Sequence, residues 1–310
     1  MAIKVLFSGP LSTIQDGGRF GFMKAGVTTS GAMDLQAYNS ANELVGNTAG
    51  EAVIESTLMG PTLEFEEETV IAMTGADMDP RVDGKEIPLY QPVWIKKGQV
   101  LSMQMAKNGC RSYLAVHGGI DVPIVMNSRS TNLKCHIGGL EGRALWNGDL
   151  IPIHPFQGSE EEKSLILAKK MTPVHYDTNV TVRVIMGPQD SYFTDAGKLT
   201  FFHSTYAVST DSDRMGFRLE GPEIESKNGV DIVSDGIAFG AIQVPPSGKP
   251  IVLLADRQTT GGYAKIGTLY SEDIPKFVQL KPGDTVRFQK ISVEEAQSQK
   301  GSIGNKKHRK

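Results

Sequence analysis

Glycine and proline set the strongest constraint on what this chain can fold into. Its 34 glycines and 16 prolines cut the apolar residues into short runs closed by turn chemistry, the pattern of a mainly β protein with frequent reversals. The runs predict strands over 4–7, 70–73, 93–95, 100–104, 113–116, 181–185, 251–254 and 285–288. Val82-Asp83-Gly84-Lys85 predicts a hairpin, because Asp-Gly supplies the positive φ angles of a tight type I′ turn. Lys97-Gly98 predicts a second one between two apolar strands. Helices are few. The clearest follows Asp34, where Ala37, Tyr38, Ala41, Leu44 and Val45 recur on one face of a 3.6-residue period, with Asp34 as N-cap and Gly46-Asn47 as the stop. Others are expected over 190–199, near 273–278, and from Ser292, where Ser-Val-Glu-Glu forms a capping box.

A chain of 310 residues suggests two domains of roughly 150 residues each. The polar stretches 157–163 and 171–179 suit a connection between them. The expected division is an N-terminal lobe over 1–160, a connection over 161–178, a C-terminal lobe over 179–291, and a terminal helix and basic tail over 292–310. Echoes in the same order support two related halves: Arg19-Phe-Gly-Phe22 with Arg214-Met-Gly-Phe217, Gly31-Ala-Met33 with Gly240-Ala-Ile242, and Leu145-x2-Gly-Asp149 with Leu280-x2-Gly-Asp284. A single large β domain with recurrent turns would carry the same echoes.

The net charge of −3 argues against a broad basic face for nucleic acid. Apolar runs such as Ile251-Val-Leu-Leu-Ala255 are too short to span a bilayer. The N-terminus runs into a strand without a signal-peptide pattern, so a cytoplasmic protein is expected. Cys110 and Cys135 allow one bridge at most, and two reduced thiols are the expectation.

Several chemical signatures are absent. No two glycines are separated by a single residue, which removes the G-x-G phosphate loops, and there is no G-x4-G-K-[ST], G-x-S-x-G, H-E-x-x-H or C-x-x-C. What remains are polar clusters set in glycine-rich turns. Thr13-Ile-Gln-Asp-Gly-Gly-Arg19 leads to Ser30-Gly-Ala-Met-Asp34, where a helix N-terminus could hold an anion. Alternatively, Asp34 only caps the helix and Arg19 pairs with Asp16 or Asp34. Ser128-Arg129-Ser130-Thr131 sets hydroxyls beside a guanidinium, either as an anion site or as a turn that satisfies its own backbone. Cys135-His136 gives no basis for a nucleophile. Ser209 to Arg218 holds Asp211, Asp213, Arg214 and Arg218 but lacks the spacing of a calcium loop. Gln243, and then Asp256-Arg-Gln258-Thr259-Thr260-Gly-Gly-Tyr263 at the end of an apolar strand, combine amide, hydroxyl and phenol groups suited to a small polar ligand.

Taken in order, Gln15-Asp-Gly-Gly-Arg19, Ser30-Gly-Ala-Met-Asp34, Thr74-Gly-Ala-Asp77, Ser128-Arg-Ser-Thr131, Asp213-Arg-Met-Gly216, Gly240-Ala-Ile-Gln243 and Asp256-x-Gln-Thr-Thr-Gly-Gly-Tyr263 resemble the KipA-like, allophanate-hydrolase-subunit-2-like family. A member is often called the C subunit of 5-oxoprolinase (PxpC), and related sequence occurs in the carboxyltransferase domain of urea carboxylase. Gly17, where an apolar residue is expected, is the one departure within these motifs. The resemblance implies two cyclophilin-like β-barrel lobes in tandem. It implies a KipI-like partner (PxpB) and a PxpA-like subunit, which together open 5-oxo-L-proline to L-glutamate with ATP and magnesium at the level of the complex. Phosphorylation of the lactam oxygen makes the ring carbon attackable by water. The residues expected to bind substrate are Arg19, Asp34, Arg129, Ser130, Thr131, Arg214, Gln243, Gln258, Thr259, Thr260 and Tyr263, with no catalytic base assigned and no resident metal. Two alternatives follow from the same resemblance: a regulatory protein that sequesters a KipI-like kinase inhibitor, and a carboxyltransferase acting on urea or a related amide. The chain has no Met-Lys-Met, so in the latter case biotin would arrive on another protein.

Overall fold

A computed structural model describes residues 2–299, and the chain divides between Asp177 and Thr178 into two compact units. The predicted basic tail beyond Gln299 lies outside the described residues. The fold is mainly β, as the turn chemistry requires.

The first unit holds eleven strands: β1 (Ala2–Phe7), β2 (Ser12–Gln15), β3 (Val53–Thr57), β4 (Thr62–Phe65), β5 (Thr69–Asp77), β6 (Arg81–Val82), β7 (Lys85–Glu86), β8 (Pro92–Ile95), β9 (Val100–Ser102), β10 (Asn108–Val116) and β11 (Leu150–Pro152). They form a six-stranded sheet, β11-β1-β4-β9-β6-β7, and a five-stranded sheet, β2-β3-β10-β5-β8. The second sheet is covered on both faces. Ile71, Met73, Leu114 and Val116 join the core shared with Ile3, Leu63 and Leu101 of the first sheet. Their neighbours Val70, Ala72, Tyr113 and Ala115 instead pack against Ala37, Tyr38, Ala41 and Leu44 of α1 (Leu35–Leu44). This is why Val70-Ile-Ala-Met73 reads as an unbroken apolar run: alternate residues are buried on opposite faces. Asp34 caps α1, accepting from the Ala37 N–H at 2.9 Å.

The predicted hairpin forms at Asp83-Gly84, with φ of 49° and 79°. Lys97-Gly98 differs. Gly98 turns with φ 81°, but β8 and β9 belong to different sheets, so this turn carries the chain from one sheet to the other. The polar stretch 157–163 also differs, because most of it is helical. Ser159 caps α2 (Glu160–Leu167), and Ile166 enters the α1 core. Its charged residues are one face of a docked helix, and 161–177 belongs to the first unit.

The second unit holds β12 (Asn179–Met186), β13 (Tyr206–Val208), β14 (Gly216–Glu220), β15 (Asp231–Gly236), β16 (Ala241–Gln243), β17 (Ile251–Leu253), β18 (Thr260–Tyr263), β19 (Lys265–Leu269) and β20 (Thr285–Lys290). Seven of them close a barrel in the order β12-β19-β16-β17-β14-β13-β20, while β15 and β18 pair as a separate ribbon. Barrel closure is a parallel pairing of β12 with β20. Helix α3 (Asp195–His203) reaches the barrel through Phe201, stacked on Phe288 at 4.5 Å, and α4 (Ile274–Val278) through Phe277, 5.3 Å from Phe217. The helix expected over 190–199 is broken: a 3-10 turn over Asp190–Tyr192 ends at Phe193, and Thr194 caps α3 by accepting from the Gly197 N–H. A last helix over 293–299 starts from the predicted capping box, with Glu295 Oε2 accepting from Ser292 N at 2.7 Å and Ser292 Oγ from Glu295 N at 3.1 Å. Cys110 is buried, Cys135 is exposed, and both are free thiols.

Candidate functional site

In the first unit the sequence-selected polar residues bind one another. Asp16 accepts from Gly18 N (2.8 Å), Ser128 Oγ (2.8 Å), Arg129 N (2.5 Å) and Ser130 Oγ (2.5 Å). Thr131 Oγ1 donates to the Ile14 carbonyl at 3.0 Å. Arg19 is fully buried, with Nε donating to the Val125 carbonyl at 3.0 Å and a terminal nitrogen donating to that of Ser130 at 2.8 Å. Asp34 accepts from Tyr176 Oη at 3.2 Å in addition to its capping bond. Arg19, Asp34, Ser130 and Thr131 therefore hold the fold of this loop region together. Arg129 is partly open: it faces Glu51 at 3.6 Å, and its Nε has no partner among the described residues. Near it, burial together with the negative charges of Asp16 and Glu51 pushes the Tyr38 phenol well up.

The second unit carries a cavity of about 520 Å³ lined by Asp211, Asp213, Met215, Gly216, Arg218, Gln243, Pro245, Pro246, Ser247, Ile251, Leu253, Gln258 and Tyr263. Strand alternation locates it. Phe217, Leu219, Val252 and Ile242 are buried, while Gly216, Arg218, Ile251 and Gln243 on the opposite face of the same strands line the cavity. The floor is thus the outer wall of the barrel. Register places Arg218 opposite Ile251 and Ile251 opposite Gln243. Gly216 keeps the floor low, since a Cβ there would sit 2.9 Å from the Val252 carbonyl oxygen.

The β15–β18 ribbon supplies Tyr263 as a wall. It approaches the floor at Gly261, where a Cβ would lie 2.6 Å from Gln243 Nε2 and 2.8 Å from Ile237 Cδ1. A larger residue there would require the Gln243 and Ile237 side-chain ends to shift. The ribbon is fastened by the Asp235 carboxylate, 3.3 Å from Nζ of the buried Lys265. The Gly236 N–H and the Lys265 ammonium hold Asp235 below the usual carboxylate range.

Of the sequence-selected residues here, Gln243, Gln258 and Tyr263 line the cavity, Thr260 begins the ribbon strand, and the Thr259 carbonyl accepts from Ile237 N at 3.1 Å. Arg214 does not line the cavity. It is 4 % exposed, its Nε bonds Asp256 Oδ2 at 2.9 Å, and its carbonyl accepts from Asp256 N. The cation at the cavity is instead Arg218. The period-two pattern of Gly216-Phe-Arg-Leu-Glu220 was the signal for it, because Phe217 and Leu219 must face the core.

Comparison with known proteins agrees with this architecture. The chain is similar to the 5-oxoprolinase C subunit of Escherichia coli strain K12, with 39 % identity over 95 % of this chain and 93 % of that protein. It is similar to the corresponding protein of Haemophilus influenzae, at 36 % over 92 % and 90 %. Urea amidolyase of Saccharomyces cerevisiae is 34 % identical over 97 % of this chain but only 17 % of its own length. The solved structure of Kluyveromyces lactis urea amidolyase superimposes with a TM-score of 0.86 at 31 % identity, covering 98 % of this chain and 20 % of that one. Residues 25–290 match the carboxyltransferase domain, subdomains A and B, and the chain belongs to that family.

Proposed function

We propose that this chain is the C subunit of an ATP-dependent 5-oxoprolinase, which opens 5-oxo-L-proline to L-glutamate together with a KipI-like and a PxpA-like chain. The observation that carries this reading is the end-to-end match to the 5-oxoprolinase C subunit, 93 % of the Escherichia coli protein, against 17 % of the urea amidolyase. The second-unit cavity suits the substrate: carboxamides at Gln243 and Gln258 complement an amide, and Met215, Ile251 and Leu253 complement ring methylenes. It does not suit a triphosphate, having one guanidinium, Arg218, against the two carboxylates Asp211 and Asp213. ATP is therefore not placed in this cavity and is kept at the level of the complex.

The test is co-purification with the two partner chains, followed by measurement of ATP-dependent glutamate formation. Turnover only when all three are present supports the reading, and none in a verified complex refutes it. The likeness to urea amidolyase supports a second reading, transfer of a carboxyl group from carboxybiotin to a small amide. It is tested with a biotinylated carrier protein and urea.

A further inference from the structure

The outer-wall row Arg218–Ile251–Gln243 has unspent hydrogen-bonding capacity at both ends. Gln243 is only 3 % exposed, yet it lines the cavity. Its orientation is fixed, because the Tyr263 carbonyl must receive the amide nitrogen, which lies 3.3 Å away. The Gln243 Oε1 is left without a donor among the described residues and sits at the cavity as an acceptor. Two strands along, the Arg218 guanidinium makes no hydrogen bond or ion pair among the described residues. Of the two carboxylates that share the cavity, Asp213 accepts from Met215 N at 2.7 Å and Gly216 N at 3.2 Å. Neighbouring strands lie about 4.8 Å apart, so the two polar ends flank the Ile251 side chain across roughly 10 Å of wall, and the long Arg218 side chain shortens that gap. A guanidinium, an apolar step and an outward carbonyl oxygen match a small ring lying flat on the apolar step, with a carboxylate on the ring atom next to its N–H: the two groups diverge from adjacent positions, the carboxylate toward the long Arg218 side chain and the N–H toward Gln243. The two aspartates disfavour a polyanion such as a phosphate.

We propose that this row is the specificity reader of the cavity: Arg218 binds the carboxylate of a small cyclic amide acid, the ring lies on Ile251, and Gln243 Oε1 accepts the ring N–H. This deepens the 5-oxoprolinase reading and rests on it for the substrate class. A site built to bond a group rejects analogues that lack it: without the N–H, Oε1 of the buried Gln243 is left unpaired, and without the carboxylate the exposed Arg218 loses a charge-assisted bond.

The test uses three ligands: 5-oxo-L-proline, 2-pyrrolidinone, which lacks the carboxylate, and 1-methyl-5-oxoproline, which lacks the N–H. Calorimetric titration of the full chain should show each analogue binding more weakly than 5-oxo-L-proline, by about tenfold to a hundredfold. Arg218→Gln should abolish the preference over 2-pyrrolidinone and keep the preference over the N-methyl compound. Gln243→Met should do the reverse. A variant that merely loosened the fold would weaken all three ligands together, and that result, or preferences unchanged in both variants, overturns the proposal. If the isolated chain binds none of the ligands, the same ratios taken from KM in the three-chain complex decide the question. Unchanged ratios in a complex that forms glutamate discard the reader and keep the proposed activity. A crosswise loss in binding, with no turnover in a verified complex, keeps the reader and discards the activity.

Discussion

Arg214 and Asp256 form a buried ion pair, and breaking it should cost far more than removing it whole. Their side chains are 4 % and 8 % exposed, with Nε 2.9 Å from Oδ2. Asp256 Oδ1 has no partner among the described residues, so the pair is incompletely solvated by protein and its net worth against an apolar replacement is small. Arg214→Met leaves a buried carboxylate without this counterion, and Asp256→Leu takes from a buried guanidinium the carboxylate 2.9 Å from its Nε. Each should cost about 3–5 kcal/mol, whereas the double variant should fall within a few kcal/mol of the parent or exceed it, as buried pairs replaced by apolar residues often do. At about 2–4 °C per kcal/mol, each single variant should melt roughly 6–20 °C lower. Trp94 and Trp146 both lie in the first unit, so their fluorescence is silent on this change. The readout is calorimetry, joined to hydrogen exchange of the Leu254 and Asp256 amides, which bond the Met215 and Arg214 carbonyls at 2.9 Å. Two single variants that each cost under about 1 kcal/mol and add without coupling would instead show a pair already solvated and rule out the buried coupling.

Gly261→Ala should destabilise by about 1–3 kcal/mol through overpacking and shift the Gln243 side-chain amide resonance, since the added Cβ lies 2.6 Å from Gln243 Nε2; an unmoved resonance would show that the ribbon yields freely. Asp16→Ala removes the acceptor of four hydrogen bonds and should cost at least about 2 kcal/mol, read by tryptophan fluorescence in urea. Burial alone would raise the Asp273 carboxyl, but Arg183 at 2.6 Å and Lys276 at 3.1 Å outweigh it and hold the carboxyl below its ordinary value. A folded-state pKa below the unfolded one, about 3.9, stabilises above that pH and is lost as pH falls through the folded value. The parent should therefore lose stability below about pH 4 more steeply than Asp273→Asn, and parallel acid limbs would refute the assignment.

The strands were legible wherever one residue pattern served two cores, as at Val70-Ile-Ala-Met73, where nothing but burial on both faces tolerates an unbroken apolar run. The Asp34 cap and the Asp83-Gly84 turn were legible because each is a local geometry set by one or two residues. Lys97-Gly98 has the chemistry of a turn, but the sheet that receives the next strand depends on partners distant in sequence. The polar run at 157–163 resembled a linker because a docked helix shows its composition, and Ile166 and Leu167, which pack it against the α1 core, lie beyond that run. Among the polar clusters, the family motif Asp213-Arg-Met-Gly216 drew the choice to Arg214, although Arg218 is an arginine of the same cluster. The alternation of β14 decides otherwise, because a guanidinium next to a turn can satisfy an internal carboxylate as readily as an external ligand.

The pairing of β12 with β20 joins Asn179 to Thr285 and Val184 to Lys290, so the second unit is sealed by its first and last strands. During synthesis, β12 must wait for about a hundred further residues before its second neighbour, β20, leaves the ribosome, and until then β12 and β13 each keep one unpaired edge. Such an edge is open to the wrong neighbour, and closing so distant a contact is slow. Until Thr285–Lys290 emerges, the nascent barrel therefore stays open to mispairing at both of these edges.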